Sequence, residues 1–540
     1  MQKNDLVNLK IDALTLDGQG IGRLDGLAVF VPGTAPGDEV LARIVKTKKR
    51  YARARLESLE KISPDRQAND CPAYPQCGGC SLRHITYEAE LKIKAEHVED
   101  CFKRIGHIDI EPQPIRHGPE LRYRNKAGYQ LEAVGEGLKI GFYAKNSHRV
   151  ADCRDCLLQP GSFEAIVNVF VEWIKKHEIS IYKMKEHKGL LRHIYIRQAP
   201  RTGQIMVYPV INANQLPFAD ELIQALLKAE AKIKSIVLNI NRQKTNIILG
   251  SKSLTLWGSD YISDSLCGLN FRISPQSFYQ VNSKMAEVLY EKAAHYAGLT
   301  GQETVLDLYC GAGTIGLSMA DKAKEIIGVE SVPQAVEDAK INAEINNIQN
   351  AKFICADAAQ AAERLKAEGT RPDVIILDPP RKGCAPELLK TVADLAPKRI
   401  VYVSCDPATL ARDCAVLSEL DYETLELTPV DMFPRTGHVE TVALLSKLNT
   451  EHHLDIEIGE DELSEIDFSK EATYGEIKKY VLDKYGLKVS SLYIAQVKRK
   501  YGLIERENYN ISKKENQRVP NCPEEKEKAI ENALEYFGMI

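Results

Sequence analysis

Asp307-Leu308-Tyr309-Cys310-Gly311-Ala312-Gly313-Thr314-Ile315-Gly316 ends an apolar run, Thr304–Tyr309, in a glycine-rich turn. Gly311, Gly313 and Gly316 match G-x-G-x-x-G, whose glycines let backbone approach a ligand at a helix N-terminus. Alone this pattern is weak, and its surroundings decide it. Downstream, strand-like runs alternate with helix-like ones: Glu325–Glu330, Ala351–Cys355, Asp373–Leu377, Arg399–Ser404 and Val439–Leu445. The alternation predicts a doubly wound, Rossmann-like α/β domain over residues 276–447.

The ends of these strands carry the chemistry, as open α/β sheets require. Glu330 closes the second strand, placed to accept hydrogen bonds from ribose hydroxyls. That suits NAD or S-adenosylmethionine equally. Asp378 in Leu377-Asp378-Pro379-Pro380-Arg381 favours S-adenosylmethionine, because Asp-Pro-Pro at this strand end is a pattern of base-modifying methyltransferases and has no role in hydride transfer. Cys405, in Val403-Ser404-Cys405-Asp406-Pro407, stands at another strand end. A buried core thiol is the plain alternative. A thiolate added to carbon 6 of a pyrimidine makes carbon 5 nucleophilic, and a base must then take the carbon 5 proton. Cys405 and Glu440 (Gly437-His438-Val439-Glu440-Thr441) supply that pair. Cys384, in Arg381-Lys382-Gly383-Cys384, reads as structural.

With 540 residues, 44% apolar and 27% charged, the chain is an ordinary globular protein of several domains. No apolar run reaches membrane-spanning length. Thirteen cysteines and an N-terminus, Met1-Gln2-Lys3-Asn4-Asp5, without a signal-like apolar core argue for a reducing cytoplasm. The net charge of −4 announces no nucleic-acid partner, so basic patches would have to be local. Residues 1–60 show regular glycine turns and read as a small β-barrel. From Arg43 to Arg55 there are seven basic residues and no acidic one. That stripe is either a solvated face or a phosphate-tracking surface. A second basic and aromatic cluster, Arg122-Tyr123-Arg124-Asn125-Lys126, suits phosphate and base contacts.

Residues 61–275 read as a mixed, β-rich central domain. Cys71, Cys77 and Cys80 lie in a Pro- and Gly-rich loop, followed by Cys153 and Cys156. Such thiolates suit zinc or an iron–sulfur cluster, against the alternative of unconnected core cysteines. The tail, residues 448–540, begins with an acidic stretch from Glu451 to Asp467 that fits a solvated linker. Two helix-like runs follow, Tyr474–Tyr485 and Ser491–Tyr501, either a helix-turn-helix-like RNA module or a stabilising appendage.

Together, Asp-Leu-Tyr-Cys-Gly-Ala-Gly-Thr, Leu-Asp-Pro-Pro-Arg-Lys-Gly, Ser-Cys-Asp-Pro-Ala-Thr-Leu-Ala-Arg-Asp and Gly-His-Val-Glu-Thr-Val resemble the RNA uracil-5-methyltransferase family, in its 23S ribosomal RNA branch (RumA/RlmD-like), over residues 1 to about 447. The resemblance implies an OB-like TRAM barrel, a [4Fe–4S] cluster and a class I methyltransferase domain. It places the cluster on Cys71, Cys77, Cys80 and Cys156, with Cys153 as the alternative fourth ligand. It places S-adenosylmethionine on Gln280, Tyr309, Glu330 and Asp378, the nucleophile on Cys405 and the general base on Glu440. It implies RNA as partner, with ribosomal RNA favoured over tRNA because the tRNA branch lacks the barrel and the cysteines. A cytosine-5 RNA methyltransferase and a non-catalytic RNA-binding iron–sulfur protein are the rival readings. The tail departs from the family pattern.

Overall fold

Alternating small apolar and polar residues let the first strands curl around one side of themselves. In the computed structural model, which describes residues 1–135, 137–448, 474–487, 489, 491–501, 503, 522–537 and 539–540, β1 to β5 (Leu6–Leu14, Gln19–Leu24, Leu27–Pro32, Glu39–Thr47, Tyr51–Lys61) form a closed barrel. Its core is Leu9, Ile11, Val29, Val31, Val40, Ala42, Ile44, Ala52 and Ala54, the inward set of each strand. The outward set at the β4–β5 turn is exposed and basic: Lys46, Lys48, Lys49, Arg50 and Arg53.

The cysteine loop leads to helix α1 (Tyr87–Cys101), which a short π-helical turn extends to Gly106. Thr86 caps it by accepting the Ala89 N–H. This helix lies within the stretch expected to be a central domain, yet Val98, Cys101 and Phe102 pack into the core of the downstream α/β sheet. A second seven-stranded sheet follows, in the order β12-β11-β10-β9-β6-β7-β8. Its strands are β6 (Lys126–Val134), β7 (Gly137–Tyr143), β8 (Val150–Asp152), β9 (Leu191–Gln198), β10 (Ile205–Ile211), β11 (Ile233–Ile240) and β12 (Lys252–Gly258). Helices α2 (Ser162–Lys176) and α3 (Ala219–Ala229) join its apolar core. A hairpin, β13 (Ile262–Leu266) and β14 (Leu269–Ile273), and helix α4 (Ser283–Ala297) then hand the chain to the third sheet.

That sheet runs β17-β16-β15-β18-β19-β21-β20. Its members are β15 (Thr304–Leu308), β16 (Glu325–Glu330), β17 (Ala351–Cys355), β18 (Val374–Leu377), β19 (Arg399–Ser404), β20 (Tyr422–Val430) and β21 (Glu440–Lys447). Helices α5 (Thr314–Leu317), α6 (Pro333–Ile345), α7 (Ala358–Ala367), α8 (Pro386–Asp394) and α9 (Pro407–Ser418) connect them. The central strands are apolar almost throughout because both faces are covered; every residue of β18 is buried. The order reverses between β15 and β18, the position where doubly wound sheets open a crevice. Strand β20, absent from the sequence reading, is the edge.

Residues 1–449 form one compact unit and 450–540 another. In the second, α10 (Tyr474–Tyr485), α11 (Ser491–Lys500) and α12 (Glu524–Tyr536) enclose a core of Ile477, Val481, Val489, Ile494, Val497, Ala529, Ile530, Ala533 and Leu534. The first two helices fall where the sequence predicts them, and α12 is additional. The acidic stretch from Glu451 to Asp467 lies outside the described residues. Among the described residues, no helix is long and apolar enough to cross a membrane.

Candidate active site

Strand register brings the reactive pair together. Strands β19 and β21 are antiparallel, and Ser404 pairs with Thr441 at the last rung. One residue further, Cys405 leaves β19 while Glu440 begins β21, so the two side by side occupy one sheet edge. Asp406 starts α9 by accepting the N–H groups of Ala408 and Thr409, which turns the chain sharply just after the thiol. Glu440 is 6% exposed, and burial, then the nearby Asp378 charge, pushes its carboxyl up to about 8. Burial and the Glu440 charge push the Cys405 thiol up to about 11. Arg381 opposes both shifts, and its guanidinium lies 3.4 Å from His438 Nε2. Sequence reasoning gives Arg381 and His438 no role; their only signal is adjacency to Asp378 and Glu440.

The neighbouring strand ends form a ligand cradle. Tyr309, after β15, has φ +69°, and Gly311 and Gly313 follow at +55° and +80°. Nothing stands within 4 Å of a Cβ built on Gly311, so it is the backbone angle that calls for glycine there. A Cβ on Gly316 would lie 2.9 Å from Asp307 Oδ2, the atom that accepts the Gly316 N–H at 3.0 Å. Asp307 Oδ1 is buried without a partner, and burial with the Asp378 charge pushes this carboxyl up to about 8. Asp378, at the end of β18, is pushed by burial to about 7. Glu330 accepts the N–H groups of Gly311 at 3.2 Å and Val332 at 2.8 Å, which holds the glycine turn against β16. Carboxylates beside an open, left-handed glycine turn fit a ligand with ribose hydroxyls and a cationic centre. Gln280, just before α4, is 9% exposed; its side chain bonds Tyr290, whose hydroxyl meets that of Thr314 after the glycine turn, and Asn125 donates to its carbonyl at 2.8 Å. Asp307 stands within the sequence pattern, but nothing in that pattern marks it as a ligand-facing group.

Cys384 lies elsewhere. It is 4% exposed, the Tyr402 hydroxyl is 3.4 Å from its sulfur, and its backbone N–H donates to Asp413. It belongs to the core.

Cys71, Cys77, Cys80, Cys153 and Cys156 line one cavity of about 130 Å³, together with Tyr74, Arg83, Arg124, Phe142 and Leu158. Hydrogen bonding from Cys153 draws the thiols of Cys71 and Cys156 down, to about 6 and about 7, while Cys153 itself is held protonated. Burial pushes Cys80 up to about 12. Among the described residues, no group of three or more His, Cys, Asp or Glu side chains converges closely enough to hold a single metal ion. The sulfurs surround a space instead of meeting at a point.

The cluster Arg122–Lys126 also makes contacts within the fold. Arg122 pairs with Asp155 and donates to the carbonyls of Cys156 and Gln159, so it braces the cysteine loop. Lys126 is enclosed, and burial lowers it to about 8. Arg124 sits over the rings of Tyr123 and Phe433. Arg122 is exposed while it makes these contacts, and Arg124 and Lys126 are half-buried.

Residues 218–448 match the family described as tRNA (Uracil-5-)-methyltransferase, and residues 2–56 match the TRAM domain. A protein of Clostridium tetani named as an uncharacterized RNA methyltransferase is 45% identical over 448 residues, 83% of this chain and 97% of the relative. One of Halalkalibacterium halodurans, named likewise, is 44% identical over 83% of this chain and 98% of its own length. The crystal structure of Pyrococcus abyssi tRNA (uracil-54, C5)-methyltransferase with S-adenosyl-L-homocysteine superposes with a TM-score of 0.66 at 30% identity, covering 81% of this chain and all of that one. With its barrel, its glycine cradle and its paired strand ends, the chain belongs to the RNA uracil-5-methyltransferase family of S-adenosylmethionine-dependent enzymes.

Proposed function

We propose that the chain methylates carbon 5 of uridine in 23S ribosomal RNA through a covalent cysteine adduct. The observation that carries this reading is the register that sets Cys405 beside Glu440 at the rim of the cradle. Cys405, as thiolate, adds to carbon 6, and the electron pair displaced to carbon 5 takes the methyl group. S-adenosylmethionine supplies that methyl as an electrophile on sulfur and leaves as S-adenosylhomocysteine. Glu440 takes the carbon 5 hydrogen as a proton, and the freed pair re-forms the ring double bond and expels Cys405. Arg381 lowers the cost of both anions. Gln280, Tyr309, Glu330 and Asp378 are the residues to hold the methyl donor. The target base must leave its stack to reach a thiol seated at a strand end.

The ribosomal substrate is supported by the barrel's exposed basic turn and by the cysteine-lined cavity. A [4Fe–4S] cluster there would rest on Cys71, Cys77, Cys80 and Cys156 and act as a clamp on their loop. The likeness to the Pyrococcus tRNA (uracil-54, C5)-methyltransferase favours a tRNA substrate instead. Labelled methyl transfer to 23S ribosomal RNA and to tRNA, both lacking 5-methyluridine, tests the choice. Labelled 5-methyluridine in ribosomal RNA is the expected product; label confined to tRNA overturns the substrate and keeps the chemistry.

A further inference from the structure

The Clostridium and Halalkalibacterium relatives are matched almost end to end by 83% of this chain, so this chain carries residues that have no counterpart in them. The second unit, residues 450–540, has its own core. Two features of its surface stand out.

The first is charge. Residues 474–501, the first two helices and their connection, carry seven Lys or Arg and two acidic residues, in a chain whose net charge is −4. Helix α11 ends in Lys498-Arg499-Lys500, but Lys498 is buried and Lys500 is paired with Glu527 and Glu531 of α12, so the exposed charge near the rings is that of Lys479 and Lys484 on α10. The second is a cluster of aromatic rings at the surface. Tyr536 is 61% exposed and stacks on Tyr480 with ring centroids 4.4 Å apart and planes 28° from parallel. The Lys484 ammonium stands 5.1 Å over the Tyr480 ring and 5.9 Å from that of Tyr485, which is 37% exposed. Lys479 is exposed on the same helix.

Exposed apolar area alone fits a protein partner as well as any other. An exposed stacked ring pair, with an ammonium group over one ring and a second exposed lysine on the same helix, fits unpaired nucleotides. Each base offers a π-face and each linkage a phosphate. We infer that the α10–α12 unit is a docking surface for a single-stranded segment of the RNA substrate, with Tyr536 and Tyr485 as stacking platforms and Lys479 and Lys484 on the phosphates. The inference rests on the reading of the chain as an RNA methyltransferase. It adds a second grip, remote in sequence from the catalytic pair, and so predicts an effect that depends on substrate length.

The test uses the full chain and the variant Lys479→Glu/Lys484→Glu/Tyr536→Ala, whose unchanged far-UV spectrum certifies the fold. Methyl transfer is measured on 23S ribosomal RNA and on a short hairpin carrying the target uridine. Expected is a KM for the long RNA raised at least about fivefold, with kcat and the KM for S-adenosylmethionine unchanged and the hairpin kinetics unaffected. The salt dependence of long-RNA binding, read by filter retention, should flatten by about two phosphate contacts. Equal KM and equal salt slope overturn the inference. So does loss of a protein from ribosomal particles by the variant while its kinetics on naked RNA stay intact. Filter retention needs no turnover, so an enzyme that methylates neither RNA defeats the proposed function without deciding this surface.

Discussion

The carbonyl of Arg435 accepts the backbone N–H of Ser81 at 3.0 Å, which joins the loop leading into Glu440 to the residue after Cys80. Arg435 is 3% exposed at φ +69°. Its guanidinium donates to Ile85 O, Gln67 and Glu120, and its own N–H donates to Glu90. Glu90 in turn takes one of the hydrogens of buried Lys94, which also donates to Asp431 at 2.7 Å. Gly437 completes the junction: a Cβ there would stand 2.0 Å from the barrel carbonyl of Leu16. Arg435→Ala therefore leaves the half-buried Glu120 and the carbonyl of Ile85 without their donor, while Glu90 keeps Lys94. We expect a loss of about 1–3 kcal/mol in chemical denaturation. We also expect a fall in kcat with the KM for S-adenosylmethionine unchanged, and Arg435→Lys should not restore it, since an ammonium cannot span three partners in one plane. Wild-type stability in Arg435→Ala would show that the junction contributes nothing.

If Glu440 is the group that takes the carbon 5 proton, its removal stops the reaction after methyl transfer and before release of Cys405. Glu440→Gln should accumulate a protein–RNA complex that survives denaturing gels, with methyl label in it. Cys405→Ala should give neither adduct nor product while keeping S-adenosylmethionine binding. Normal turnover by Glu440→Gln would move the base elsewhere.

The same pair sets the pH profile. In the proposed reaction both groups act as anions, and both are acids held above their ordinary values, Glu440 at about 8 and Cys405 at about 11. The active ionised forms therefore gain population as pH rises. The rate should climb from pH 7 to 9. Arg381→Met removes the positive charge that holds both values down, so its profile should move to higher pH. At pH 7.5 we expect a loss of about tenfold or more, partly recovered at pH 9. A profile that keeps its midpoint in the variant would remove Arg381 from this role.

The strand ends that carry these candidate residues were legible because the apolar runs are unmistakable; β18 is Val374-Ile375-Ile376-Leu377, buried throughout. Cys405 and Glu440 needed only the position of the strand ends. Strand β20 was not legible, because Glu423 and Glu426 break its outer half, as an edge strand allows. Lys94 was out of reach for another reason. In Tyr87–Cys101, rich in Glu and Lys, a lysine reads as solvated, and its partner Asp431 is 337 residues away. The pairing of Arg122 was hidden similarly: its anion, Asp155, lies 33 residues away on another loop. Helix α12 did carry a signal, Ala529, Ile530, Ala533 and Leu534 at helical spacing, behind an acidic first turn.

Asp307 couples stability to ligand binding. Its carboxyl is 1% exposed and held at about 8 by burial and by Asp378, far above an ordinary aspartate. The native state thus binds a proton that the unfolded chain releases near pH 4, and stability falls as pH rises from there through about 8. Asp307→Asn removes that penalty and leaves an oxygen for the Gly316 N–H. It should raise the ligand-free denaturation midpoint at pH 8.5, by about 1–3 kcal/mol, and flatten its pH dependence. It should also weaken S-adenosylmethionine binding more than tenfold. Unchanged affinity would mean that the unpartnered oxygen faces no ligand.

The cysteine cavity holds one thiol more than a four-ligand cluster needs. Cys153 and Cys156 both line it beside Cys71, Cys77 and Cys80. The family resemblance puts the fourth ligand of a cluster on Cys156 and leaves Cys153 as the spectator. In anaerobically purified protein, Cys71→Ser, Cys77→Ser, Cys80→Ser and Cys156→Ser should each lose most of the iron and the visible absorbance of a [4Fe–4S] centre. Cys153→Ser should keep both. Because Ser81 and Leu82 N–H groups both hold the Arg435 carbonyl, the iron-poor variants should also lose kcat before they lose S-adenosylmethionine binding. Iron lost from Cys153→Ser and retained in Cys156→Ser would exchange the two roles; absence of iron in the wild type would leave the cavity a purely thiol-lined one.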